Sequence, residues 1–145
     1  MLTSARNCFE GRITQIDKGG VNDEIWVTLL TGEKMVSIIT HESSERLGLK
    51  EGDDCLMIVK ATHVVLFQDR DDYVFSCRNV YNATVTELHY GKVATEVDLV
   101  TEKGMNMTAG ATIRAANGLK LSHGAKVKAI IKAHHVIVAV KKKAD

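Results

Sequence analysis

Apolar and polar side chains alternate along Glu24-Ile25-Trp26-Val27-Thr28-Leu29, placing Ile25, Val27 and Leu29 on one face. That period of two is the mark of a half-buried strand. A strand is also expected from Cys8 to Asp17, followed by a turn, Lys18-Gly19-Gly20-Val21-Asn22, whose glycines can take positive φ. Thr31-Gly32-Glu33 turns the chain again, and Lys34 to Ile39 reads as a third strand. Thr40 to Gly48 then fits a short helix, capped by Thr40 at its start and closed by Gly48. After the turn Lys50-Glu51-Gly52-Asp53, strands are expected over Cys55–Lys60 and His63–Phe67. Three strands, one helix and two strands in so short a span follow the plan of an OB-type barrel, in which closure removes exposed strand edges.

The pattern occurs twice. A constant shift of 72 residues carries Ser4-Ala5-Arg6-Asn7 onto Ser76-Cys77-Arg78-Asn79 and Lys60-Ala61 onto Lys132-Ala133. Gly19, Gly32 and Gly52 fall on Gly91, Gly104 and Gly124 without a gap. The expected fold is therefore all-β: two tandem OB-like five-stranded barrels, each with one short helix, over residues 1–70 and 74–145. Two copies are too few for a solenoid, so each is expected to form a small domain of its own. A copy of this size lies near the lower limit for an unaided core, which makes packing between copies or subunits important. The link from Gln68 to Phe75 is short and holds no Gly or Pro, so the barrels should sit close together.

Composition narrows the function. No apolar stretch approaches the ~20 residues of a membrane span, and the N-terminus lacks the apolar run of a signal peptide, so a cytoplasmic location is expected. Cys8, Cys55 and Cys77 are odd in number, show no CxxC spacing and align with Val80, Val127 and Ala5. They are expected to be small buried residues rather than a disulfide or metal set. Residues 1–71 carry eight Lys/Arg against twelve Asp/Glu, and residues 72–145 carry eleven against six. This divergence is assigned mainly to solvated faces and the basic tail Lys141-Lys142-Lys143. Nucleic-acid binding would need a repeated aromatic platform, and only Phe9/Tyr81 recurs.

Catalysis has no support: no nucleophile elbow, P-loop, HExxH or dinucleotide fingerprint occurs. Of six histidines only His63/His135 recurs, and the neighbours His134 and His135 would point to opposite sides of a strand. The polar residues that recur are mostly hydrogen-bond donors: Ser4/Ser76, Arg6/Arg78, Asn7/Asn79, Thr40/Thr112 and Lys60/Lys132. Glu24/Glu96 is the one carboxylate kept in both copies. Free N–H groups at the start of the short helix add to this set. Donors alone suit a fully ionised tetrahedral dianion, which offers only acceptors. Hydrogen phosphate brings a proton and leaves a group unpaired, at about 1–3 kcal/mol.

With these motifs in order, the chain resembles the molbindin family, whose small molybdate-binding modules are called Mop domains. Ser4-Ala5-Arg6-Asn7, Ser37-Ile38-Ile39-Thr40, Arg46-Leu47-Gly48-Leu49-Lys50-Glu51-Gly52 and Val59-Lys60-Ala61 carry the resemblance, which with the duplication covers nearly the whole chain. It implies a two-module cytoplasmic protein without catalytic activity or cofactor that stores or buffers molybdate, and tungstate with it. It further implies a homo-oligomer, a trimer, with sites where modules of different subunits meet, and no nucleic-acid or membrane partner. Carried over residue by residue, one side of a site is Ser4, Ala5, Arg6, Asn7 and Lys60, and the other is Thr40, Ser43 and the backbone at Arg46. The second copy supplies Ser76, Cys77, Arg78, Asn79, Thr112 and Lys132. There Ala115 and Gly118 replace Ser43 and Arg46, so the two classes of site are expected to differ in affinity. A further anion position near a three-fold axis falls on Gly20-Val21-Asn22 and Lys92-Val93-Ala94. The alternatives are a molybdate sensor acting through a partner protein and an OB-type nucleic-acid-binding module.

Overall fold

A computed structural model describes residues 2–143. The first copy contains β1 (Asn7–Lys18), β2 (Asn22–Leu29), β3 (Lys34–Thr40), α1 (His41–Leu47), β4 (Asp54–Val59) and β5 (Val64–Gln68). The second contains β6 (Asn79–Tyr90), β7 (Ala94–Thr101), β8 (Asn106–Thr112), α2 (Ile113–Gly118), β9 (Lys126–Ile131) and β10 (Ile137–Ala139). The alternation read from the sequence is the alternation of burial: in β2, Ile25 and Val27 are fully buried, while Trp26 and Thr28 lie half-exposed between them. One element escaped that reading. A 3-10 turn at Ala61–His63, repeated at Ala133–His135, holds each recurring histidine out of the strand that follows.

Two five-stranded antiparallel sheets result, and they exchange a strand. The first runs β10-β4-β1-β2-β3 and the second β5-β9-β6-β7-β8. Ile137–Ala139 pairs with Leu56–Ile58, and Val64–Gln68 pairs with Val127–Ile131. Each repeat thus contributes its fifth strand to the sheet of the other, so neither sheet is complete within one repeat. The long first strands are bent by matching register shifts, at Ile13/Gln15 in β1 and Val85/Glu87 in β6. Such bulges increase twist and curl the sheet. Buried side chains of both copies then form one contiguous core. Among the described residues, no helix is long and apolar enough to cross a membrane.

Both helices begin as expected and end differently. Thr40 caps α1, and Gly48 closes it in the left-handed region at φ 61. At the same place in the second copy stands Lys120, which adopts φ 54. A side chain in that region costs ~1–2 kcal/mol, while glycine's extra freedom in the unfolded chain returns roughly 0.4–1 kcal/mol. Lys120→Gly should therefore stabilise the protein by about 0.5–1 kcal/mol, read as a higher urea midpoint at unchanged m-value. An unchanged or lower midpoint would contradict this account of the α2 terminus.

The cysteines depart from expectation. Only Cys55 is buried, and its thiol is pushed up to about 11 by burial and by the nearby Asp54 and Asp53 carboxylates, so it stays protonated. Cys8 is exposed and Cys77 half-buried, its thiol directed at the Ile131 carbonyl. Cys8 opposes Ile58 on the outward face of β1, which explains why the aligned Val80 is tolerated there.

Candidate functional site

Strand register gathers the recurring cations. Asn7 pairs with Val59, so Ser4-Ala5-Arg6, just before β1, runs beside Lys60, just after β4. Asn79 pairs with Ile131 in the same way, setting Ser76-Cys77-Arg78 beside Lys132. Ser4, Arg6, Lys60, Ser76, Arg78 and Lys132 are all exposed, whereas Ala5 and Cys77 are half-buried. The Ala5 N–H donates to Thr3 Oγ1 at 3.0 Å.

The helix starts form a second set. Thr40 Oγ1 accepts the Ser43 N–H at 3.1 Å and donates to Ser43 Oγ at 2.8 Å. The His41 N–H donates to the Val21 carbonyl. In the first turn of α1 the N–H groups of His41 and Ser43 are thus engaged within the chain, and the Ser43 hydroxyl stands beside them. In the second copy Thr112 Oγ1 accepts the Ala115 N–H at 3.0 Å. Ala115 has no hydroxyl to bind that of Thr112. Arg46 is exposed in the last turn of α1, where the second copy has Gly118.

Each cationic cluster sits on strands of the other copy. A Cβ added at Gly110 in β8 would lie 3.4 Å from Thr62 Cγ2, which places the 3-10 turn after Lys60 directly on the strand leading to Thr112. The turn after Lys132 packs likewise on β3, which leads to Thr40. Between them the His63 and His135 rings stack, with centroids 4.1 Å apart. Two residues related by the repeat can touch in this way only on the pseudo-two-fold axis between the copies. Burial, with the charges of His63, Lys132 and His134, lowers the pKa of His135 and favours the neutral, stackable ring.

Two points refine the expected donor set. Asn7 and Asn79 are 1% exposed, and both ends of each amide are spent on backbone. Asn79 accepts the Val36 N–H and donates to the Val36 carbonyl, each at 2.8 Å. Asn7 does the same with Thr108, at 2.7 and 2.9 Å. These amides act as clamps on the edge strands β3 and β8, which engages the carbonyl oxygen and one N–H of each. The second point concerns charge. Arg6 donates through Nε and Nη2 to Glu96 at 2.9 and 3.1 Å, and Arg78 donates through Nη1 to Glu24. The cluster is not made of donors alone, because each arginine carries the recurring carboxylate of the other copy. Its recurrence was the signal in the sequence that could have revealed it.

The hairpin tips are built by their own backbone. Gly19 and Gly91 donate to the Asn22 and Ala94 carbonyls at 2.9 and 2.8 Å. A Cβ at Gly19 would come within 2.3 Å of the Asn22 oxygen. Close approach, rather than positive φ, demands this glycine. Gly20, Val21 and Asn22, with Lys92, Val93 and Ala94, lie exposed at these tips, Val21 at 78% and Val93 at 83%.

Comparison with known proteins agrees with this architecture. The TOBE domain model matches the chain twice, over residues 3–66 and 76–138. Molybdenum transport protein ModE of Herbaspirillum seropedicae is 36% identical over 140 residues, which are 97% of this chain and 52% of that protein. The chain spans about half the length of the first curated relatives it matches. Molybdenum-pterin-binding protein 3 of Clostridium pasteurianum is 38% identical over 66 residues, 46% of this chain and 97% of that protein. A solved structure of the cytoplasmic molybdate-binding protein ModG, with molybdate bound, matches with a TM-score of 0.91 at 37% identity, covering 97% of this chain and 99% of that one. Matched over both repeats by the family model and over nearly its whole length by a solved structure, the chain belongs to the TOBE domain family, with two copies of the domain in tandem.

Proposed function

We propose that the chain binds molybdate reversibly, without chemical conversion, and serves to store or buffer it in the cytoplasm, with tungstate as an equivalent ligand. The observation that carries this reading is the pair of exposed Ser-Arg-Lys clusters, each resting on the strand that leads to a helix-capping threonine of the other copy. The match to the molybdate-bound ModG structure supports it. Ser4, Arg6 and Lys60 form one set of ligands and Ser76, Arg78 and Lys132 the other, with Ala5 and Cys77 contributing backbone. Thr40, Ser43 and the backbone at Arg46 complete one class of site, and Thr112 and Ala115 the other. The second class lacks one hydroxyl and is the weaker. The exposed tips at Gly20-Val21-Asn22 and Lys92-Val93-Ala94 are assigned to contacts about a three-fold axis.

The assembly we propose is a homotrimer, and association of chains, though not its stoichiometry, is supported by an apolar row on the outer face of each sheet. Cys8, Ile58 and Ile137 line up across the first, and Val80, Ile130 and Val65 across the second. Ile137 is 56% and Val65 57% exposed, more apolar surface than isolated strand ends require. Ligand bridging two chains would then stabilise the assembly by mass action.

Selectivity over sulfate follows from size, since the larger ion reaches donors that the smaller leaves unpaired. At a hundredfold excess over Kd, molybdate or tungstate should raise Tm by about 5–10 °C, and sulfate by less than a third of that. Equal shifts for molybdate and sulfate would end the selectivity claim, and no shift with either would end the reading. A second reading, a sensor that reports occupancy to a partner, is favoured by the partial coverage of the longer ModE relative. Partner capture that changes with added molybdate would select it.

A further inference from the structure

We propose that Glu96 and Glu24 are built-in counter-anions for Arg6 and Arg78, from which an incoming oxyanion must draw the guanidinium away, and that they thereby set the threshold for which oxyanions bind. This rests on the binding reading above and assigns a specificity role to residues that touch the ligand only through competition.

Glu24/Glu96 is the sole carboxylate shared by the repeats, and its partner in each case is the shared arginine of the other copy. Glu96 stands on β7 opposite Gly110, the β8 position covered by the turn after Lys60. Glu24 stands opposite Ile38 on β3, against which the turn after Lys132 packs. Each carboxylate is therefore fixed at the junction between a cationic cluster and the strand leading to a capping threonine. The pairs are partly open to water, with side-chain exposures of 58% and 39% for Arg6 and Glu96 and of 56% and 29% for Arg78 and Glu24. Exposed pairs contribute little to stability, so recurrence of both partners calls for another role.

Charge supplies one. An Arg and a Lys held side by side repel each other when no ligand is present, and the carboxylate halves that net charge. Once a dianion enters, the same carboxylate becomes a like charge beside it and weakens binding. An ion that reaches the full donor set overcomes this opposition, whereas a smaller one that leaves donors unpaired does not. The carboxylate thus lowers affinity for both dianions, so that the smaller ion, already short of donors, falls below the threshold for binding while the larger stays above it.

The second pair carries its own reporter. The Arg78 guanidinium lies over the ring of Trp26, 5.5 Å from the centroid, and Trp26 is the only tryptophan of the chain. If molybdate draws Arg78 from Glu24, it also moves a cation off that ring.

The test is molybdate and sulfate titration of the full chain and of Glu96→Gln and Glu24→Gln, followed by calorimetry and by Trp26 emission. Gln keeps a hydrogen-bond acceptor for the arginine while removing the charge. Each variant should bind molybdate about tenfold more tightly at its altered sites and gain a similar factor for sulfate, which brings sulfate binding into the measurable range. In the unaltered chain, Trp26 emission should shift as molybdate fills the sites. Folded variants with unchanged or weaker binding would overturn the proposal, as would an emission indifferent to molybdate in a chain that calorimetry shows to bind it. A chain that binds no molybdate at all would instead defeat the binding reading, and this inference with it.

Discussion

A fragment of residues 1–70 is expected to be dimeric whenever it is folded. In the full chain β4 is flanked by β10, and β5 lies beside β9, so the fragment keeps β4 without its outer neighbour and β5 without any partner. Met57, fully buried in β4, and Val64, 1% exposed at the head of β5, would both be uncovered. At about 1.5–3 kcal/mol per large apolar side chain, that loss is comparable with the ~5–15 kcal/mol that holds a small domain together. Two fragments can restore it by lending each other β5, since Val64-Val65 stands in the repeat where Val136-Ile137 does. A relative of single-copy length exists in Clostridium pasteurianum, so one repeat is enough sequence for a protein. Light scattering should give twice the fragment mass, and dilution should lower Tm, as for any obligate dimer. A folded monomer with native sheet content at nanomolar concentration would show that the exchange is dispensable.

That exchange also marks where the sequence stops being legible. Alternation in β2, the Thr40 and Gly48 caps and the order of strands follow from local chemistry and appear as expected. Strand partnership does not, because the repeat makes both candidates alike. Val64 to Phe67 and Val136 to Ala139 offer β4 nearly the same side chains, and local pattern cannot choose between them. Geometry decides instead: the 3-10 turn at Ala61–His63 carries the chain across onto β8 before β5 begins. The site divides in the same way. Ser4, Arg6 and Lys60 lie near one another because β1 and β4 pair with Asn7 opposite Val59. Asn7 follows them in sequence, but nothing in the sequence reveals that its amide also clamps the backbone of β8 at Thr108. Cys8 misled for a related reason: an apolar aligned residue suggests burial, whereas here it belongs to an apolar row on the outward face of the sheet.

Asn79→Ala should cost more stability than any surface ligand substitution, and more than Asn7→Ala. The Asn79 amide closes a two-bond bridge to Val36, so truncation orphans one backbone N–H and one carbonyl on β3. Val36 is 2% exposed, and water cannot readily replace the lost partner. With about 1–3 kcal/mol for each buried group left unpaired, the expected loss is roughly 2–5 kcal/mol. Around it, the Ser37 hydroxyl still donates to the Val136 carbonyl at 2.6 Å and Tyr81 to the Lys34 carbonyl at 2.6 Å, so β3 should stay in place and bear the full penalty. Thr108, the Asn7 partner, is only half-buried, and the aligned positions Ala109 and Phe9 bring no hydroxyl to hold β8. There the edge can shift and take up water, which limits the loss to about 1–2 kcal/mol. Denaturant unfolding of both variants decides the order, and amide exchange at Val36 should rise in the first more than at Thr108 in the second. If Asn79→Ala loses less than about 1 kcal/mol, the amide is not what closes the edge.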